Sequence, residues 1–200
     1  MAETKMKRDD LNRWEFRIWA QDLTQVRREF ERIAIPQRPE ITPEIYLLSQ
    51  TTDRCSAKMR SGTLDLKVLL EERDGLERWA PLFKAAFPLS RAVIADQLFP
   101  ALALDPPTLS KSEYSLVEFL EVIRMEPKIT IANVHKERHQ FGLETCLAEF
   151  AAVLINGTSR HTVAIESTDP DAVLELAVKL AIRDRPNTSY VRELKRLTAP

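Results

Sequence analysis

The chain is poor in glycine: its 200 residues hold four, at Gly62, Gly75, Gly142 and Gly157. A Walker loop or a dinucleotide fingerprint needs clustered glycines so that the backbone can approach phosphate, and neither can be assembled here. Phosphate binding, if it occurs, has to use side chains. No G-x-S-x-G elbow is present, which excludes an α/β-hydrolase serine. Cysteine is scarcer still. Cys55 and Cys146 are too few and too far apart for a disulfide framework or a zinc knuckle. They read as small core or wall residues of strands. No apolar run is long enough to span a bilayer, and the polar start MAETKMKRDD does not read as a signal peptide, so the expectation is a soluble, cytoplasmic protein without a membrane partner. Charge of one sign is also lacking. Lys and Arg number 29 against 30 Asp and Glu, for a net charge of -1. No global field attracts nucleic acid, so an anion site must come from local segregation of charge.

What remains is an ordinary globular balance of 44% hydrophobic and 30% charged residues, with length enough for one domain and a real core. RWEFRIWA (13–20) alternates: Arg13, Glu15, Arg17 and Trp19 take one face, and Trp14, Phe16 and Ile18 the other, the pattern of a half-buried strand. Leu23, Val26, Phe30 and Ile33 follow at helical spacing. EIYLLSQ (44–50), CSAKMRS (55–61) and LDLKVLLEE (64–72) read as successive short strands, with Gly62 at a tight turn. The middle of the chain reads as a helical insertion near 75–125. LERWAPLFKAAF would put Leu76, Trp79, Leu82, Phe83 and Phe87 on one helical face, and Ser115 with Glu118 makes a capping-box pattern ahead of SLVEFLEVI. Strands resume over 128–141, 143–155 and 159–167, with Asn156-Gly157 as a hairpin signal between the last two. Asp169-Pro170 caps a further helix, and a last helix lies near SYVRELKRL.

Two strands carry the same arrangement of charge, Lys58-x-Arg60 and Lys136-x-Arg138, and Lys67 adds a third basic site. Residues two apart on a strand share a face. Curled together with basic faces inward, such strands would box a polyanion. Any single pair reads better as solvated sheet surface; the ordered set with matching acids turns the balance toward a tunnel. His135 and His139 fall on the face opposite Lys136 and Arg138, and no cysteine or acid cluster completes a zinc set with them or with His161.

In the order of these elements the chain resembles the CYTH, or triphosphate tunnel, family, from Arg13 to Tyr190. The family's opening E-x-E-x-K is matched by Arg13-Trp14-Glu15-Phe16-Arg17. Its spaced basic strands are matched by Lys58-Met59-Arg60, Lys67 and Lys136-Glu137-Arg138. An acidic strand position falls at Glu149, and the late E-x-E is Ala164-Ile165-Glu166. Arg13 and Ala164 stand where the family has glutamates, so the basic pattern is nearly complete and the acidic one is thinned. The resemblance implies an α+β fold: a closed antiparallel β-tunnel of about eight strands with helices packed on the outside, in a single domain over 1–200 (mainly 12–197).

The same resemblance implies a function. Arg17, Lys58, Arg60, Lys67, Lys136, Arg138 and Arg160 would clamp phosphates, since arginine forks and lysine point charges both suit phosphate oxygens. Glu15, Glu149 and Glu166 would hold Mg²⁺ or Mn²⁺, with Glu15 and Glu166 catalytic in hydrolysis of a terminal phosphate. Glu15 and Glu166 read alternatively as ion-pair partners of the basic residues. The implied partners are triphosphate, polyphosphate or a nucleoside triphosphate; no base-recognition motif is present, which favours inorganic triphosphate. The thinned acids leave open a binding module without turnover, and nucleotide cyclisation is a third possibility. Oligomeric state is not legible.

Overall fold

The structure is a computed structural model and describes residues 12–143 and 145–199. The charged stretch at 7–10, read from sequence as solvated surface, lies outside the described residues. Eight strands form the wall: β1 (Arg13–Ala20), β2 (Glu40–Ser49), β3 (Cys55–Arg60), β4 (Thr63–Arg73), β5 (Leu76–Ala86), β8 (Ile129–Leu143), β9 (Cys146–Ile155) and β10 (Thr158–Ser167). They close as an antiparallel barrel in the order β1-β10-β9-β8-β2-β3-β4-β5. Two short strands, β6 (Leu89–Ser90) and β7 (Glu113–Tyr114), pair separately.

The helix expected over 76–87 is instead β5, the strand that closes the barrel. It pairs with β4 along its length and with β1 through Arg13, Trp14 and Glu15. Two local features override its helical periodicity. Pro81 lacks the N–H that a helix interior needs, whereas a strand tolerates proline beside a bulge; a register shift does lie between Leu66 and Lys67, where β4 faces Phe83 and Pro81. Asp74-Gly75, with φ of 52° and 74°, forms the two-residue turn that folds β5 back onto β4. Ser61-Gly62 and Asn156-Gly157 repeat the same positive-φ pair at the β3–β4 and β9–β10 hairpins. Within 75–125, helix is confined to 91–101, where a π-helical stretch Val93–Leu98 runs into α2 (Phe99–Ala101), and to α3 (Leu116–Arg124). The α3 capping box forms as its sequence predicts: Ser115 Oγ accepts from the Glu118 amide, and the Glu118 carboxylate accepts from the Ser115 amide.

Alternation sorts the side chains of the wall into two populations. Outward-facing Trp14, Phe16, Ile18, Phe150, Val163 and Ile165 pack under α1 (Thr24–Ile33) and α4 (Pro170–Lys179), through Val26, Phe30, Val173 and Leu176. Outward-facing Leu47, Ala57, Met59, Leu64 and Leu66 pack under the 93–101 segment and α3. Both cysteines are free and buried in these outer layers. A third apolar cluster lies inside the barrel. Tyr46, Leu48, Ala132, Val134, Ala151, Val153 and Ile155 meet Tyr190, Val191 and Leu194 of α5 (Tyr190–Thr198). The helix α5 thus plugs one end of the barrel and leaves the other half of its interior to the charged residues.

Candidate functional site

Strand register brings the predicted residues together. Glu15 on β1 lies directly opposite Glu166 on β10, and Arg17 opposite Ala164. Ala164 in turn faces Glu149 on β9. Lys136 and Arg138 project from β8, Lys58 and Arg60 from β3, and Lys67 from β4, into the same cavity of about 580 Å³. Six of the seven basic residues read from the sequence therefore line one space, together with Glu15, Glu149 and Glu166. Arg160 does not line it; its guanidinium donates to the Ser159 carbonyl at 2.8 Å.

The structure adds residues that the sequence reading passed over. Asp65 shares the inner face of β4 with Lys67, and Lys84 reaches the cavity from β5. Glu44 is almost fully buried beneath Lys58 (3.3 Å) and Arg60 (3.8 Å). Tyr46, Trp79, Ser189 and Tyr190 are also among the lining residues. The Asp65–Lys67 spacing of two was a legible signal. Lys84 and Trp79 were hidden by the helical reading of β5, and nothing local marked Tyr190, which arrives from α5.

Most of the cations are held by carboxylates. Lys136 Nζ is 2.7 Å from Glu149, and Arg138 lies 3.8 Å from Glu149 and also pairs with Glu40. Arg60 meets Asp65 at 3.1 Å. Lys67 makes no ion pair within 4 Å among the described residues, though its charge acts at longer range on Glu166 and Glu15. Seven basic side chains line the space against four acidic ones, and the excess is positive although the whole chain is not.

Arg17 is the centre of the site. Its side chain is 5% exposed. Nε donates to Glu15 at 2.7 Å and Nη1 to Thr162 at 3.3 Å, while Glu149 stands 3.6 Å and Glu166 4.0 Å away. The guanidinium carbon lies 4.5 Å from the centre of the Tyr190 ring, a cation–π seat. Glu15 and Glu166 both stand within ion-pair distance of Arg17, Glu166 at its outer limit.

These neighbours divide the acids. Burial pushes Glu15 upward, but the Arg17 charge and hydrogen bond, with Lys67 and Glu166 adding to them, together hold the carboxyl below its usual range. Burial acts on Glu149 too, and Lys136 with Arg17 overcomes it, bringing the carboxyl down to about 2. Glu166 goes the other way: burial raises it, and the facing Glu15 adds to the effect against the pull of Lys67. Facing acids oppose each other's ionisation, which is why the two move in opposite directions. Burial brings Lys58 down to about 8, with Glu44 opposing.

The carboxylates do not fit a divalent metal as placed. Mg²⁺ needs hard oxygens converging octahedrally at short range, whereas Glu15, Glu149 and Glu166 converge on the Arg17 guanidinium. Among the described residues no group of three or more His, Cys, Asp or Glu is placed to hold a metal ion. His135 is exposed, His139 packs on the outer face near Phe150, and the Nδ1 of His161 accepts from the Leu23 amide.

No family model matches the chain, and no curated protein matches it in sequence. Solved structures do. A conserved hypothetical protein from Pyrococcus furiosus is 17% identical with a TM-score of 0.51, the match covering 90% of this chain and 99% of that one. A candidate adenylate cyclase from Bacillus halodurans is 11% identical at a TM-score of 0.50, covering 92% and 98%. A candidate adenylyl cyclase from Hippeastrum, for which a dominant triphosphatase activity is stated, is 10% identical at 0.51, covering 92% and 95%. The fold is that of the triphosphate tunnel proteins. At these identities the likeness establishes the tunnel architecture and leaves chemistry to the tunnel's own residues. Among the described residues no helix is long and apolar enough to cross a membrane.

Proposed function

We propose that the tunnel binds a linear triphosphate-type anion. The observation that carries this reading is the convergence of Arg17, Lys58, Arg60, Lys67, Lys84, Lys136 and Arg138 on one cavity, where seven basic side chains face four acidic ones. Two hydroxyls support it. Tyr190 Oη and Ser189 Oγ are buried, line the cavity and have no hydrogen-bond partner among the described residues. A buried polar group without a partner costs free energy, and a phosphate oxygen arriving in the cavity would supply one. Charge-assisted donors around a narrow space suit successive phosphoryl groups better than a single one. Inorganic triphosphate is the first candidate ligand, ahead of nucleotides.

The test is calorimetric titration with tripolyphosphate, with pyrophosphate and ATP as comparisons. Binding that weakens steeply with salt and drops in Lys67→Met is expected. Heat identical to buffer dilution at low ionic strength would sink the reading.

Hydrolysis of a terminal phosphate is the second reading. The facing Glu15–Glu166 pair favours it, because a carboxylate on the cavity wall can take a proton from an attacking water and a second carboxyl opposite can share it. Phosphate release from tripolyphosphate, measured with and without Mg²⁺ or Mn²⁺ and lost in Glu166→Gln, is the outcome that supports it. Binding without release leaves the tunnel as a non-catalytic module.

A further inference from the structure

The Arg17 guanidinium occupies the point on which three carboxylates converge, and the site around it is built to keep it there. Three different elements fix its orientation: Glu15 takes Nε from its own strand, Thr162 takes Nη1 from β10, and the Tyr190 ring lies beneath it from α5. The backbone is pinned as well, since the Arg17 amide donates to Asn187 Oδ1 at 2.8 Å and its carbonyl accepts from the Thr188 amide at 2.8 Å. Withdrawing the guanidinium would leave a buried cation without partners on one side and carboxylates without a counter-charge on the other, both costly in a dry interior.

Ala164 makes this placement possible. It is 1% exposed and sits in register between Arg17 on β1 and Glu149 on β9. Its methyl group leaves the gap that Arg17 crosses to come within 3.6 Å of Glu149. A longer side chain at this position would stand between them.

We propose that Arg17 serves this tunnel as its fixed internal cation in the place of a divalent metal, so that the ligand enters as the metal-free polyphosphate anion. The inference rests on the anion-binding reading above and specifies the ligand species. A dication brought to Glu15, Glu149 and Glu166 would have to displace the guanidinium or lie against its charge. A polyphosphate whose charge is already masked by Mg²⁺ would gain less from Lys67, Lys58 and Lys136 than the bare anion does.

Two measurements test it on the full chain. In the first, tripolyphosphate is titrated by calorimetry at constant ionic strength, in EDTA and at rising Mg²⁺. Full affinity in EDTA is expected, with apparent affinity falling in step with the fraction of anion taken up by Mg²⁺. Affinity that rises with Mg²⁺, or that appears only in its presence, overturns the inference and leaves anion binding intact. Absence of binding in both conditions removes the anion-binding reading and this one with it. In the second, thermal unfolding is followed with Mn²⁺ and no anion. The wild-type midpoint is expected not to move, whereas Arg17→Gln, which takes from Glu15 and Glu166 their nearest cation and leaves Glu149 to Lys136 and Arg138, is expected to melt lower in EDTA and to regain stability with Mn²⁺. Stabilisation of the wild type by Mn²⁺, or indifference of Arg17→Gln to it, contradicts the assignment. Should Arg17→Gln fail to fold, the wild-type response to Mn²⁺ and the Mg²⁺ series each decide it without that variant.

Discussion

Glu149→Gln probes the charge logic of the tunnel most directly. Glu149 is paired at 2.7 Å with Lys136, with Arg17 at 3.6 Å and Arg138 at 3.8 Å behind it. Its carboxyl is brought from 4.5 to about 2 against the opposing effect of burial. A tenfold change in proton affinity corresponds to about 1.4 kcal/mol, so the ionised carboxylate stabilises the fold by about 3 kcal/mol at neutral pH. The folded value lies below the unfolded one, so this stabilisation is complete above about pH 4.5 and drains away as pH falls toward about 2. Glutamine keeps the shape and removes the charge. Urea unfolding of the anion-free protein at pH 7 should therefore find the variant less stable by about 3 kcal/mol, and at pH 3 the difference should shrink to roughly half. The same substitution releases three cations from their shared acid. Tripolyphosphate affinity should then rise, by on the order of tenfold if one extra charge acts across the cavity at an effective dielectric near ~20–40. A stability difference that stays constant between pH 7 and pH 3, or an affinity that falls, would contradict this account of the charges.

Further outcomes follow from single side chains. Lys67→Met should cost at least about tenfold in tripolyphosphate affinity and lower the unfolding midpoint less than Glu149→Gln does, because Lys67 acts on Glu166 and Glu15 only at a distance; calorimetry and thermal melts together check this. Lys58, brought down to about 8 by burial, must be protonated to help hold an anion. Affinity should therefore decline as pH rises through about 8 and binding near that pH should take up protons, and Lys58→Met should flatten both effects. Tyr190→Phe removes a buried hydroxyl that has no partner in the anion-free protein. Stability should hold or rise while anion affinity falls, and a variant that loses both equally would assign Tyr190 to packing alone. Gly75→Ala places a Cβ at φ 74° and 3.4 Å from the Arg183 guanidinium, and should cost about 1 kcal/mol in urea unfolding through the turn that returns the closing strand.

Much of the wall was legible because strand alternation is a local property. Arg13 to Ala20, Cys55 to Arg60 and the Asn156-Gly157 hairpin are all as their residue patterns predict. The period of two placed Glu15 with Arg17, Lys58 with Arg60 and Lys136 with Arg138 on common faces. β5 was misread because Trp79 and Phe83, four apart, fit a helix as well as a bulged strand, and Pro81 and Asp74-Gly75 were the cues that should have decided. Arg160 shows the limit of parity: it shares a strand face with Glu166 but lies too far along β10 to reach the cavity.

Residue types and short-range spacing were enough to establish that the chain carries spaced basic residues on strands and has no glycine loop for phosphate. The backbone period turns such local facts into faces. That the faces turn inward around one cavity is a fact of closure, and closure depends on β5 meeting β1 across some sixty residues of chain. The role of the acids is likewise long-range. Whether Glu15, Glu149 and Glu166 await a metal or hold a guanidinium turns on the gap at Ala164 and on Tyr190 arriving from the last helix, and both are contacts between segments far apart in sequence.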